Sequence, residues 1–161
     1  MFGFGQLIDT LKKSPKKIVF TEGEDSRILE AASRLLASNF LHPILIGNEE
    51  KIMDAAEECG FNIRGAEIIN PENYEKMDEM VEMLCEIRKK KGMTPEMARE
   101  VLSQANYFGT MLVKMGVADS LLGGATYSTA DGSSGTPVDK DKAGTQYRII
   151  MLYTCKTKCY R

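Results

Sequence analysis

Lys17-Ile-Val-Phe-Thr21 is short, apolar and rich in β-formers, and it runs directly into the polar turn Glu22-Gly-Glu-Asp25. Such a run bounded by turn residues predicts a buried strand. A helix is predicted next, capped by Asp25 or Ser26, because Ile28, Leu29, Ala32, Leu35 and Leu36 recur at helical spacing. Pro43-Ile-Leu-Ile-Gly47 predicts a second strand, Glu49 to Cys59 a second amphipathic helix, and Ala66-Glu-Ile-Ile-Asn70 a third strand ended by Pro71. Strand–helix–strand–helix–strand order implies a mainly parallel sheet with helices on its faces, a three-layer α/β/α fold.

Outward from this unit the pattern turns helical. Tyr74 to Lys91 places Met77, Met80, Val81, Leu84 and Ile87 on one side and stops at Gly92. Thr94 caps a further helix with Pro95 at its first position, running to about Gln104. Another helix spans Tyr107 to Lys114, and Ala118 to Leu122 reads as a strand entering Gly123-Gly124. The ten methionines lie mostly on these helical faces and read as core filler.

Bulk composition narrows the function classes. With 43% hydrophobic and 27% charged residues, the chain reads as a soluble globular protein. A net charge of -2 offers no electrostatic case for nucleic acid or an anionic membrane. No apolar run approaches the roughly 20 residues that cross a bilayer. The opening MFGFGQLIDTLKKSPKK has its cations after its apolar residues, unlike a secretory signal. Cys59 and Cys85 sit in helical patterns as small hydrophobes, while Cys155 and Cys159, with only His42 as a histidine, make a poor zinc set. The expected compartment is the cytoplasm.

In a parallel sheet, ligands bind beyond the carboxyl ends of the strands. Two segments have that position: Thr21–Arg27 after the first strand, and Gly123–Asp131 after the last. Their glycines let the backbone approach an anion, and their hydroxyls and free amides can hold phosphate oxygens. No Walker pattern and no G-x-G-x-x-G occurs, which argues against a nucleoside triphosphatase or a Rossmann cofactor site. Arg88 opens the basic run Arg88-Lys-Lys-Lys91; it either offsets a helix dipole or clamps a phosphate bidentately. His42 has no acid or nucleophile near it in sequence and reads as structural.

Three stretches, in order, resemble the phosphate acetyltransferase family: Ile18-Val-Phe-Thr-Glu-Gly-Glu-Asp-Ser-Arg-Ile-Leu29, Glu86-Ile-Arg-Lys-Lys-Lys-Gly92, and Ala118-Asp-Ser-Leu-Leu-Gly-Gly-Ala-Thr-Tyr-Ser-Thr-Ala-Asp131. The third is the most specific, and phosphate butyryltransferases share a similar loop. The resemblance implies an isocitrate/isopropylmalate dehydrogenase-like fold of two α/β domains, here truncated, with the active site between them. It implies acetyl transfer between acetyl-CoA and inorganic phosphate, giving acetyl phosphate and coenzyme A by direct attack in a ternary complex. No metal or bound cofactor is implied, and the intact family is homodimeric. Substrate-binding residues implied are Arg88 for coenzyme A or phosphate, Ser128 and Thr129 lining the acyl-transfer cleft, and Arg27 after the acidic turn. Catalytic residues are expected in the second half of the family fold, so that this chain is expected to show no turnover alone. A non-catalytic fragment that only binds or dimerises is the rival reading.

The resemblance also implies that threonine, an aliphatic residue, arginine and proline follow Ser128-Thr-Ala-Asp131, the arginine being a site residue. Gly132-Ser-Ser-Gly135 stands there instead, and no arginine occurs before Arg148. Residues 1–131 are therefore read as the N-terminal part of a phosphate acetyl/butyryl transferase domain, and 132–161 as a tail outside it, frameshifted or disordered. A domain ending at that point is expected to leave a sheet edge unpaired. Moving the coding frame forward by one base permits V-R-P-A-L-Q-L-I-K-T-K-P-G-L-N-I-V-S-S-C-F-I-L-V with suitable synonymous codons. Sequencing the source DNA is expected to show that continuation in the alternative frame; its absence there removes the frameshift.

Overall fold

The computed structural model describes residues 4–124 and 149–151. Within them the element order is α1 (Phe4–Lys13), β1 (Lys16–Phe20), α2 (Ser26–Ser38), β2 (Leu41–Ile46), α3 (Glu49–Cys59), β3 (Glu67–Ile69), α4 (Met77–Ile87), α5 (Pro95–Leu102), α6 (Ala105–Lys114), β4 (Ser120–Gly123) and β5 (Ile149–Met151). Short 3-10 turns lie at Pro71–Asn73 and Lys89–Lys91. Among the described residues no helix is long and apolar enough to cross a membrane.

The sheet order is β3-β2-β1-β4-β5, and all four pairings are parallel. Central β1 aligns Val19 with Ile44 on one side and with Leu121 on the other. Pro43 sits inside β2 but precedes the β3 pairing, which starts at Ile44 opposite Glu67, so its missing N–H costs no ladder bond on that side. The outer edge of β4, expected to be unpaired, carries β5, with Leu122 opposite Ile150.

Period-two alternation sends each strand's residues to two helical layers. On one face Val19, Ile44, Ile46, Ile69 and Leu121 pack with Met80, Leu84, Leu102, Phe108, Met111 and Leu112 of α4–α6. On the other, Phe20 and Leu45 pack with Ile28, Leu29 and Ala32 of α2 and Ile52 and Ala56 of α3. Both faces are thus covered around β1 and β2, as an all-parallel sheet requires. Ile8 and Leu11 of α1 belong to neither cluster.

Helix ends follow the sequence chemistry. Asp25, Asn48 and Thr94 cap α2, α3 and α5 by accepting from the backbone N–H of Arg27, Lys51 and Met97. The predicted helix from Tyr74 to Lys91 starts later, at Met77, because Asn70 and Pro71 first form a 3-10 turn. Gly92 closes the following turn at φ 69°. Asn39 ends α2 in the left-handed region at φ 51°, where its N–H donates to Leu35 and Leu36 carbonyls.

The methionine reading holds for Met80 and Met111, which are buried, but Met53 and Met97 are exposed at 43% and 50%. Cys85 packs against the first cluster, whereas Cys59 at the end of α3 is exposed rather than core.

Helix α6 reaches the sheet through Gly109. A Cβ built there lies 2.5 Å from Leu121 Cδ1 and 3.1 Å from Ile46 Cδ1. Gly109→Ala is expected to lower unfolding free energy by about 1–3 kcal/mol, the usual cost of overpacking, measured by urea denaturation. A change under about 0.5 kcal/mol would mean that α6 does not ride on this contact.

Candidate functional site

The chain moves from β1 outward to β2 and β3, then returns to place β4 on the other side of β1. Strand order therefore reverses between β1 and β4, the switch point beside which parallel sheets bind ligands. The two segments singled out in the sequence, Thr21–Arg27 and the one starting at Gly123, leave from these adjacent strands. Thr21 N–H donates to the Leu122 carbonyl at 3.3 Å, so the two exits are hydrogen-bonded together.

The first segment is tightly held. Gly23 N–H donates to the Ile46 carbonyl at 3.2 Å. A Cβ on Gly23 would sit 2.7 Å from that oxygen and 2.7 Å from Ile52 Cδ1, so only glycine fits against the end of β2. Asp25 N–H donates to the Glu22 carbonyl at 3.1 Å. The Asp25 carboxylate then accepts from Arg27 backbone N–H at 2.9 Å, from Nε at 2.9 Å and from Nη2 at 2.7 Å. Arg27 thus uses its fork on the cap of its own helix, although half of its side chain is exposed.

Around these loops lie two concavities. A hollow of about 380 Å³ is lined by Thr21 to Asp25 and Ile46. A cleft of about 500 Å³ lies beyond β2 and β3, lined among others by Glu24, Asn48, Lys51, Asn70, Arg99 and Ser103. Asn48 and Asn70 turn their Oδ1 atoms to the N–H groups of Lys51 and Glu72, while Arg99 pairs with Asp78.

The structure brings some predicted site residues together and separates another. Arg27 and the start of the second segment share the carboxyl end of the sheet. Met77, the first residue of α4, lines the larger cleft at that same end. Helix α4 runs 11 residues from there. At 1.5 Å per residue Arg88 stands about 16 Å from Met77 along the helix axis. Arg88 is the C-cap of α4, its N–H donating to the Leu84 carbonyl at 3.0 Å. Ser128 and Thr129 lie outside the described residues. His42 is exposed in β2, opposite Lys17, far from the crevice.

Sequence reasoning missed Asn48 and Asn70 as cleft-lining caps, although an Asn between an apolar run and a helical pattern is the signal for one. It also missed that Thr21, buried to 4% exposure, packs between two glycines.

Electrostatics favours ionised carboxylates at both ends of β1. The hydrogen bond from the Arg27 guanidinium holds Asp25 below its ordinary range near 3.8, overcoming the upward push of burial. At the amino end, burial pushes Asp119 up, but Lys17 N–H and the Lys16 ammonium outweigh it and hold that carboxyl low as well. Depressed folded values mean that these groups stabilise the fold fully above the unfolded value near 3.8, and that the gain is lost as pH falls through the lower folded values. In a melting-temperature series from pH 6 to 2, Asp25→Asn is expected to flatten the decline below about pH 4. A decline as steep as the wild type's would remove Asp25 from the acid response.

Comparison with known proteins gives a consistent result. A family model described as phosphate acetyl/butaryl transferase matches residues 4–146. The Bacillus subtilis phosphate acetyltransferase is 50% identical over 115 residues, covering 71% of this chain and 35% of its own length. The Staphylococcus aureus phosphate acetyltransferase is 45% identical over 125 residues, covering 78% of this chain and 38% of its own. The chain therefore spans little more than a third of the curated relatives it matches. Among solved structures, a phosphotransacetylase from Streptococcus pyogenes superposes with a TM-score of 0.73 at 40% identity, covering 83% of this chain and 42% of that one. The EutD phosphotransacetylase from Staphylococcus aureus gives 0.76 at 39%, covering 91% and 46%. With a parallel sheet whose β1 and β4 exits meet at the switch point, and with a family match across most of its length, the chain belongs to the phosphate acetyl/butaryl transferase family.

Proposed function

We propose that this chain contributes the β1/β4 crevice to acyl transfer between coenzyme A and inorganic phosphate, with acetyl as the acyl group. The observation that carries the reading is the adjacency of the Thr21–Arg27 loop and the Gly123–Gly124 exit, hydrogen-bonded through Thr21 and Leu122. Family membership supplies the reaction class, and the relatives' names favour acetyl over butyryl. In this reading coenzyme A and phosphate are substrates, no resident cofactor takes part, the assembly is a homodimer and the compartment is the cytoplasm.

The chemistry asks for donors that hold phosphate oxygens next to a thioester carbonyl. Backbone N–H groups at a strand's carboxyl end suit that role, and glycines let the oxygens come close. Arg27 serves through Asp25, keeping the α2 end of the loop in shape. Ser128 and Thr129 supply hydroxyls on the continuation of the second segment. Arg88, the C-cap of α4, is in this reading a contact for coenzyme A or phosphate. The catalytic groups belong in this reading to the part of the family fold beyond this chain.

A titration of the ¹⁵N-labelled chain with acetyl-CoA, followed by amide spectra, tests the site. Expected are shifts concentrated at Thr21–Arg27 and Gly123–Gly124, without acetyl phosphate formation when phosphate is added. Shifts confined to Arg88–Lys91 would move the coenzyme site to the end of α4, and no shifts at all at millimolar ligand would remove the reading.

A further inference from the structure

Thr21 is a buried polar side chain at the point where β1 leaves the sheet, and its surroundings are unusual for a threonine. Val19 and Leu121 belong to the cluster under α4–α6, so alternation aims Thr21 and Gly123 at the same face. They stand one position beyond the Phe20–Leu122 pair of the parallel ladder. A Cβ on Gly123 would lie 2.6 Å from Thr21 Oγ1, and one on Gly109, above them in α6, 3.2 Å from Thr21 Cγ2. Two glycines on two different elements thus leave room for one branched side chain. No side chain of Gly123 can hold β4 at this point, so the height at which the chain leaves it is set by what it rests on, and that is Thr21.

We propose that Thr21 is a positioning residue that fixes the exit of β4 at Gly123–Gly124. The functional half of this inference rests on the proposed reading of the crevice; the packing half does not. Thr21 is wedged at a fixed height by α6, and its N–H bond to Leu122 ties its backbone to the strand it positions. The methyl faces both α6 and β4, since Cγ2 lies 3.2 Å from a Cβ on Gly109 and 3.7 Å from one on Gly123, whereas Oγ1 is the atom nearest to β4.

The test uses the full chain and four variants, Thr21→Ser, Thr21→Ala, Gly123→Ala and the double Thr21→Ala/Gly123→Ala, read by amide hydrogen exchange. Thr21→Ala is expected to speed exchange at Gly123 and Gly124 by about tenfold or more, with β2 and β3 unchanged, and Thr21→Ser to restore most of the protection. Gly123→Ala is expected to loosen the same amides, and the double variant to be less perturbed than the sum of its parts, because removing Oγ1 frees the space the new methyl needs. Unchanged exchange at Gly123–Gly124 in Thr21→Ala overturns the proposal, as do strictly additive effects. If Gly123→Ala fails to fold, the Thr21 pair alone decides. Acetyl-CoA binding separates the two halves. Wild-type affinity in Thr21→Ala despite a loosened exit overturns the functional half, whereas no binding by the wild type removes the acyl-transfer reading and leaves the exchange result to judge Thr21.

Discussion

Strand β1 is hydrogen-bonded along both edges and covered on both faces, and almost every other element is placed by that double burial. Val19 has no exposed surface and Phe20 only 1%, although they point to opposite layers. A parallel strand in this position must be apolar on successive residues, and Ile-Val-Phe supplies that run. The partners then follow from geometry. Right-handed crossovers put α2 and α3 on one face while the chain moves outward, and α4 to α6 on the other when it returns. The crevice at β1 and β4 is therefore a product of strand order, present before any side-chain chemistry is added.

What the loops add is rigidity. Gly23 is pressed against the end of β2, Asp25 caps α2, and Arg27 clasps the capping carboxylate from outside. A loop fixed at three points loses little further entropy when an anion arrives, which is the usual route to tight binding from few contacts. The cost is that Arg27 comes already engaged. An incoming anion shares that guanidinium with Asp25 or displaces it, and a shared guanidinium contributes less than a free one.

Most of the fold is legible in the sequence because its signals are local. Helix α3 begins and ends where the periodicity places it, at Glu49 and Cys59, since Asn48 caps it and Gly60 follows it. Four of the strands lie within one or two residues of their apolar runs. Helix α1 goes unread although Leu7, Ile8 and Leu11 recur at helical spacing, because the run is weighed only as a leader sequence. Strand β5 escapes notice because Ile149-Ile-Met151 stands in a stretch without a recognisable partner pattern. For the site, composition points to the loops after β1 and β4, and the structure makes their exits neighbours through the Thr21–Leu122 hydrogen bond. The basic run at Arg88 does not encode where α4 carries it, since that depends on the strand connections.

One consequence of the central strand's pairing concerns the order of events during synthesis. Lys17 N–H donates to the Asp119 carboxylate across 102 residues, and β1 finds its second edge only when β4 has been made. At about 5–20 residues per second, a ribosome needs roughly 5–20 s to deliver that stretch. Throughout this interval Ile-Val-Phe has at least one open edge, the sort of surface that recruits other strands. The lysines at 12, 13, 16 and 17 flank that run, and like charge of this kind repels a second copy while the strand is alone.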